Sequence, residues 1–427
     1  MIRYHLFFVG PHRSDRGDMQ PADIQPDSIT GIRNKRVYIE TYGCTYNYGD
    51  TEKIRIILES QGCVITRSPD DADCILINTC IVIEKTEREM RKRIAECRDR
   101  NLFVTGCLPK IDPDCGGFVI DPDTIHYHFQ KTGVHPSGNP AILQVAQGCP
   151  GHCTYCITRK ARGPLLSHPL EEIVNELEGL VREGAVEVQL TAQDLSAWGM
   201  DRGESLAGLL EAIGRVPGSY RVRLGMMNPD TLMPILDAVL DACRSEQIFS
   251  FFHIPVQSGS DSVLGQMGRR YCRDDVIAIV REIRSRFPSA RISTDIICGF
   301  PGETDEDFAE TIDLLRAIGP EKINITRYSN RPGTPAASRA DMPDRFKKDR
   351  SRLATAVAGE IFDRIYTTFI GEELDVIVTE VLQEGSVTAR DSAYRPVIIS
   401  ENLSIGTRCR VRITGHRRHY LVGTRIS

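Results

Sequence analysis

The sequence predicts a three-part chain of α/β class: an N-terminal parallel α/β sheet domain, a partial (β/α)6 barrel and a C-terminal small β-barrel. Three observations predict it. Short apolar runs alternate with helix-length segments before residue 108 and again after residue 140, which is the pattern of parallel sheets. Between Leu108 and Pro140 stand five Pro (109, 113, 122, 136, 140) and four Gly (116, 117, 133, 138), a density that marks a boundary or linker. From Glu372 the apolar period falls to two, at Leu374, Val376 and Val378, with Gly-containing turns.

Residues 1–34 carry no sustained period and read as a loose extension, or as an upstream start with Met19 as an alternative. Val37 to Tyr42 is β-rich and ends at Gly43-Cys44. Thr51 to Ser60 places Ile54, Ile57 and Leu58 on one helical face. Cys74 to Ile77 is a buried-strand run ending at Asn78-Thr79-Cys80; Glu84 to Arg98 is a charged helical stretch; Leu102 to Val104 is a strand ending at Thr105-Gly106-Cys107. The first domain is therefore set at 35–135. In 136–365 the predicted strands are 142–146, 186–190, 221–226, 248–256, 291–297 and 322–328. Amphipathic helices follow the first five, near 170–182, 204–214, 230–243, 273–286 and 304–317. Six units fall short of the eight of a closed barrel, which usually occupies about 250 residues. A connecting helix over 344–365 leads to the β-patterned tail, 366–427.

Composition narrows the function classes. With 41% hydrophobic and 26% charged residues the chain is ordinary for a globular protein, not a collagen, a coiled coil or a small disulfide scaffold. No apolar run approaches the ~20 residues of a bilayer-spanning helix, and Leu6 to Val9 is too short for a signal-peptide core. The expected location is cytoplasmic, with no membrane partner. A net charge of -5 leaves nucleic-acid contact to a local patch. Fourteen cysteines in a reducing compartment require metal or redox roles besides core packing.

Cys149-Pro-Gly-His-Cys153-Thr-Tyr-Cys156 puts three thiols in eight residues, just after the first barrel strand. Three thiolates can grip one face of a metal centre and leave a position open for substrate. The loop lies at the carboxyl end of a barrel strand, where such barrels place chemistry. A zinc site, with His152 or a distant residue as fourth ligand, remains the alternative. Cys44, Cys80 and Cys107 are widely spaced, yet each follows a strand at its carboxyl end, where open parallel sheets bind ligands. They converge on one point, or they are three unrelated core cysteines. Cys74 and Cys298 sit within strands. Cys63, Cys97, Cys115, Cys243, Cys272 and Cys409 show no partner pattern and are read as structural; His126, His128 and His135 are read as surface residues of the linker.

The CxxxCxxC loop resembles the radical S-adenosylmethionine (SAM) superfamily. Tyr42-Gly43-Cys44-Thr45, Asn78-Thr79-Cys80, Thr105-Gly106-Cys107, Leu190-Thr-Ala-Gln193-Asp194, His253-Ile-Pro-Val-Gln257-Ser-Gly-Ser260, Asp295-Ile-Ile-Cys-Gly299-Phe-Pro-Gly-Glu303-Thr304 and Arg327-Tyr-Ser-Asn-Arg331-Pro-Gly-Thr334-Pro335 then resemble, in order, the radical SAM methylthiotransferase family. Glu40-Thr41-Tyr42, Cys156-Ile157-Thr158-Arg159 and Gly225-Met-Met-Asn-Pro229 are most similar to its archaeal and eukaryotic-type branch acting on threonylcarbamoyladenosine in tRNA. The Cys107 to Cys149 interval is short for the family and leaves the strand number of the first domain open.

The resemblance implies two [4Fe-4S] clusters. One is held by the catalytic Cys149, Cys153 and Cys156 with SAM on the fourth iron; the other, auxiliary, is held by Cys44, Cys80 and Cys107. It implies a TRAM domain, an RNA-binding β-barrel, at the C-terminus. It further implies a methylthio group added at C2 of N6-threonylcarbamoyladenosine 37 of tRNA, with a reducing electron donor and a sulfur source as further partners. One SAM would give the methyl group, and reductive cleavage of another would give the radical that takes the C2 hydrogen. Relatives act on isopentenyladenosine in tRNA or on a ribosomal protein, and an RNA-binding iron–sulfur redox sensor is the rival of another class.

From Asn402 onward there are six arginines and no Asp or Glu. Arg408, Arg410 and Arg412 alternate and should share one strand face; with Arg417, Arg418 and Tyr420 they suit phosphates and a stacked base. Gln193, Asp194, Gln257, Ser258 and Asp295, at or near strand ends two, four and five, suit SAM or substrate contacts, or else act as caps and loop polar groups.

Overall fold

The computed structural model describes residues 29–426. The expected extension falls on 1–28, outside the described residues, and in part on 29–34, which are not loose: Ile29 and Ile32 are fully buried in the first domain's core. That domain runs β1 (Arg36–Thr41), α1 (Thr45–Ser60), β2 (Val64–Ile65), β3 (Cys74–Thr79), α2 (Glu84–Glu96), β4 (Leu102–Gly106), β5 (Phe118–Val119) and α3 (Ile125–Gln130). All five strands are parallel, in the order β2-β1-β3-β4-β5. The Pro- and Gly-rich interval is thus only partly a linker. Its β5 is two residues long and follows the positive-φ pair Gly116 and Gly117, too short to leave a period in the sequence. Helix α1 begins six residues earlier than expected, because its first two turns bury Asn47, Gly49 and Asp50 beside Tyr46 and so show no apolar period.

The second unit holds β6 (Ala141–Gln144), β7 (Ala146–Gln147), α4 (Thr158–Arg162), β8 (Leu166–Ser167), α5 (Leu170–Arg182), β9 (Glu187–Thr191), α6 (Leu206–Arg215), β10 (Arg221–Arg223), α7 (Pro229–Leu232), α8 (Leu236–Ala242), β11 (Phe251–His253), α9 (Asp261–Gln266), α10 (Arg273–Arg286), β12 (Arg291–Cys298), α11 (Asp305–Ile318), β13 (Lys322–Arg327) and α12 (Asp344–Thr367). Strands β10-β9-β6 and β11-β12-β13 form two parallel sheets joined by the bridges Val222–Ile248 and Met226–His253. The result is a six-stranded arc from β6 to β13. Val188, Leu190, Val222, Phe252 and Ile292 pack outward against the helices in one core, so the alternate residues face the lumen. The helix expected over 230–243 is interrupted by a 3-10 turn at Met233-Pro234, since proline removes an amide donor.

Strands β14 (Glu373–Gln383), β15 (Ser386–Arg390), β16 (Pro396–Ile399), β17 (Arg408–Arg417) and β18 (Tyr420–Arg425) close a barrel in the order β14-β15-β16-β18-β17. This barrel docks at the amino ends of the arc's strands, opposite the cysteine loop. Ser250 N donates to the Ser392 carbonyl (2.9 Å), Arg291 Nη1 to the Tyr394 carbonyl (2.8 Å), and Tyr394 Oη to Glu187 (2.5 Å). Buried Arg395 pairs with Glu321 (2.7 Å) and Asp391 (3.0 Å). Among the described residues no helix is long and apolar enough to cross a membrane.

The first domain meets the arc along α1, α3 and α5. Lys53, 1% exposed, places Nζ 2.9 Å from His126 Nδ1 and 3.7 Å from Glu176. The His126 ring lies 3.7 Å from that of His168. His126 is therefore half-buried at the domain joint rather than a free surface residue, with its Nε2 3.5 Å from Glu172. Burial, then Lys53 and His168, push its pKa down to about 2; burial and Lys53 push His168 down to about 3. Both fold neutral. The unfolded chain takes up protons near pH 6.5 that the fold does not, so this stability is full above about pH 6.5 and is lost as pH falls through it. The loss at pH 5 is on the order of 2 kcal/mol per histidine. Thermal midpoints should fall between pH 7.5 and 5, and less steeply in His126→Gln; equal slopes would contradict this account.

Candidate active site

Tight turns shape the cysteine loop after β6. Gly148 has φ +78°, and a Cβ there would overlap the Pro164 carbonyl. Its amide donates to Gln193 Oε1 at 2.6 Å. Thr154 N donates to the Met267 carbonyl (2.9 Å), Thr154 Oγ1 to the Gln266 carbonyl (2.9 Å), and Ala336 N to the Thr154 carbonyl (2.9 Å). The loop is thus fastened from three directions. Gly151 N points at Cys149 Sγ, 3.3 Å away. Burial, with Asp194 next, pushes the Cys149 thiol up to about 12; burial also raises Cys153, against the opposing charge of Arg269. Each of these two thiols also senses Cys156.

The second set forms as the topology dictates. Strands β1, β3 and β4 are neighbours, and Cys44, Cys80 and Cys107 lie just beyond their carboxyl ends. Burial and then Cys44 push Cys80 up to about 12; burial raises Cys107, which also senses Cys44. Gly43 (φ +114°) passes so close that a Cβ would overlap Cys80. Among the described residues, no three His, Cys, Asp or Glu side chains converge tightly enough for a single metal ion.

Helix α4 joins the two sets. It starts two residues after Cys156, and Ile157 and Ala161 share a core cluster with Cys80's neighbour Ile81 and with Cys107. Its last residue, Arg162, is 3% exposed. Arg162 Nη2 donates to Asn47 Oδ1 and Asp50 Oδ2, both 2.8 Å, and the guanidinium stacks 4.7 Å from the Tyr46 ring centre. Nη1 is buried without a hydrogen-bond partner. Beside the first set, Arg269 donates to Asn228 Oδ1 (2.8 Å) and Tyr155 Oη (2.5 Å), and its Nε is likewise buried without a partner. Each cysteine set therefore faces a guanidinium, buried in Arg162 and half-buried in Arg269, with a buried unused donor, which suits an anionic group held by thiolates.

Family models match in the same three parts: the radical SAM superfamily over 143–315, the uncharacterized protein family UPF0004 over 36–115, and the TRAM domain over 367–426. The chain is 37% identical to a probable threonylcarbamoyladenosine tRNA methylthiotransferase of Pyrococcus abyssi, covering 85% of this chain and 93% of that protein. It is 32% identical to the threonylcarbamoyladenosine tRNA methylthiotransferase of Mus musculus, covering 100% and 80%. The chain belongs to the threonylcarbamoyladenosine tRNA methylthiotransferase family. Its cofactors are accordingly SAM and [4Fe-4S] clusters. Among solved structures, the radical SAM methyltransferase TsrM from Kitasatospora setae, with tryptophan and a SAM analogue bound, shares the fold (TM-score 0.52, 14% identity, 70% of this chain and 74% of that chain).

The other polar residues singled out in this methylthiotransferase sequence take different stations. Asp194 is 1% exposed and accepts from Asn228 N (3.1 Å), Ser196 Oγ (2.8 Å) and Thr231 Oγ1 (2.8 Å), a set of bonds that anchors the turn after β9. Gln193 holds Gly148. Gln257 has a left-handed backbone, φ 73°, unusual outside glycine, and Ser258 Oγ is buried against Thr311. Asp295 faces the lumen, bonded to His253 Nε2 (2.7 Å) and Asn324 Nδ2 (2.5 Å). Burial works to raise Asp295, but His253 and Asn324 outweigh it and hold the carboxylate below its ordinary value. Arg408, Arg410 and Arg412 are exposed on one face of β17, as their alternation predicts; Glu373 pairs with Arg412 (2.7 Å) and Arg410 (3.4 Å). Arg417, Arg418 and Tyr420 sit at the β17–β18 hairpin, where Arg418 caps the Thr355 carbonyl of α12 (2.8 Å).

Nothing in the sequence marks Arg162 and Arg269 as site residues, because Arg159-Lys160-Ala161-Arg162 looks like a solvated charge run. Arg162→Met should cost about 3–5 kcal/mol by stranding Asp50 in the core, and should reduce the iron retained at the first-domain cysteines. Urea unfolding and iron analysis test this; wild-type stability with full iron would contradict it.

Proposed function

We propose that this chain adds a methylthio group to C2 of N6-threonylcarbamoyladenosine at position 37 of tRNA. The reading rests on one observation above all: a single five-residue helix joins two three-cysteine sites, each faced by an arginine with a buried unused donor, in a chain of this family. Cys149, Cys153 and Cys156 would hold a [4Fe-4S] cluster that leaves one iron for SAM. Cys44, Cys80 and Cys107 would hold the auxiliary cluster. Bound there, these groups supply one-electron chemistry and a methyl donor for a C–H bond that acid–base side chains cannot open. The chain's own residues bind and orient. Gln193 and Thr154 fix the catalytic loop, Arg162 and Arg269 set positive charge beside the thiolates, and the C-terminal arginines neutralise tRNA phosphates. Electron donor and sulfur source are separate partners.

The C-terminal barrel sits at the opposite end of the arc from the cysteine loop. Eight-residue β12 spans about 26 Å at 3.3 Å per residue, so the arginine face holds tRNA at a distance from the modified base.

Expression in a bacterium lacking its own methylthiotransferases, followed by nucleoside mass spectrometry of its tRNA, tests the reading. A methylthio adduct on threonylcarbamoyladenosine is expected. An adduct on isopentenyladenosine, or none from protein carrying both clusters, would refute it. Cys153→Ala should abolish SAM cleavage, whereas Cys44→Ala should cleave SAM without forming product; product from Cys44→Ala would remove the auxiliary role. Replacing Arg408, Arg410 and Arg412 by Gln should lower the salt slope of tRNA binding by about one for each phosphate no longer neutralised; an unchanged slope would move the RNA face elsewhere.

A further inference from the structure

The lumen of the arc carries positive charge that the fold does not use. Arg223 on β10 and Lys322 on β13 belong to the lumen-facing rows, with Phe251, Asp295 and Asn324. The lumen carboxylates Glu187 and Asp295 already hold partners, although Glu187 Oε2 accepts no hydrogen bond. Glu187 accepts from Tyr394 Oη (2.5 Å) and Gln189 Nε2 (2.8 Å) and pairs with Arg390 (3.5 Å). Asp295 is bonded to His253 and Asn324. Arg223 stacks 5.5 Å from the Phe251 ring centre, and its Nε is buried without a partner. The Lys322 side chain makes no hydrogen bond and no ion pair within 4 Å among the described residues, although Asp295 attracts it. Arg291 is spent on the Tyr394 carbonyl and Tyr366 Oη, with its Nε also buried and unpartnered. Burial, then Arg223 and Arg291, drive the Lys322 pKa down to about 8, against the opposing attraction of Asp295. Like charges confined in a half-buried space oppose folding unless an anion joins them.

We propose that Lys322 and Arg223, on the lumen floor, form the subsite for the carboxylate of the substrate's amino-acid tail. This rests on the threonylcarbamoyladenosine reading above, and it supplies what the sequence lacked, a feature that tells that base from isopentenyladenosine. The isopentenyl tail carries no charge; the threonylcarbamoyl tail ends in a carboxylate. Lys322 lies two residues before Asn324 on β13, about 7 Å nearer the amino end of the strand. The tail would therefore enter the lumen past His253 and Asp295 while the adenine stays at the carboxyl ends, beside the cysteine loop. A charge-assisted pair in such a site is worth about tenfold or more in affinity.

The test uses the full-length reconstituted protein and synthetic anticodon stem-loops carrying either the natural acid tail or the same tail as its primary amide. Dissociation constants come from fluorescence anisotropy, and methylthiolation from mass spectrometry. Wild type should bind the acid form about tenfold more tightly than the amide. Lys322→Met and Arg223→Met should each erase most of that preference, and Lys322→Arg should keep it. Equal binding of acid and amide by wild type that still methylthiolates the acid form would overturn the subsite and leave the function standing. Failure to methylthiolate the acid form would overturn the substrate reading and the proposal with it. If a Met variant does not fold, the wild-type comparison decides alone.

Discussion

The buried pairing of Arg162 with Asp50 and Asn47 is the contact on which the rest of the arrangement depends. The partners come from two domains, and the arginine closes the helix that follows Cys149, Cys153 and Cys156. A charged group placed there is costly to desolvate and strongly destabilising to leave unpaired. The first domain is thereby fixed against the arc in one register, with Gln144 of β6 completing the joint through Asp50 and the Tyr46 carbonyl. Two cysteine sets that are remote in sequence become the two ends of a single short helix.

The arc then sorts chemistry by height. Its carboxyl end holds thiols, glycine turns and two guanidinium groups with buried unused donors. Its lumen holds the bonded carboxylates Glu187 and Asp295 beside Arg223 and Lys322, whose side chains make no hydrogen bond among the described residues. Its amino end is sealed by the C-terminal barrel through Arg395, Glu321, Asp391 and Tyr394. On the proposed reading, the outer arginine face at one end of the arc would grip the RNA, and the lumen would discriminate the base presented at the other.

Much of this was legible in the sequence, for identifiable reasons. The placement of the six cysteines was legible because CxxxCxxC is local and because Cys44, Cys80 and Cys107 each end a readable strand; their role as cluster ligands is part of the proposed function. The barrel arc was legible because its outward residues are apolar and its helices amphipathic. What stayed hidden was made by tertiary contact. Strand β5 is too short to show a period. Ile29 and Ile32 look like stray apolar residues until α1 covers them. His126 reads as a surface histidine until Lys53 and His168 enclose it. Arg162, Arg223 and Lys322 are ordinary cations in one dimension; what marks them is burial for the first, and for the last two a place in the lumen with no side-chain hydrogen bond made.

The central claim is that one helix holds two cluster sites in contact range of each other. Mössbauer and electron paramagnetic resonance spectra of the reduced, anaerobically reconstituted protein test it most directly. The account predicts two [4Fe-4S] clusters whose spins interact, with Cys153→Ala and Cys44→Ala each leaving one cluster and removing the interaction. A single cluster in the wild type, or two with independent spectra, would contradict it.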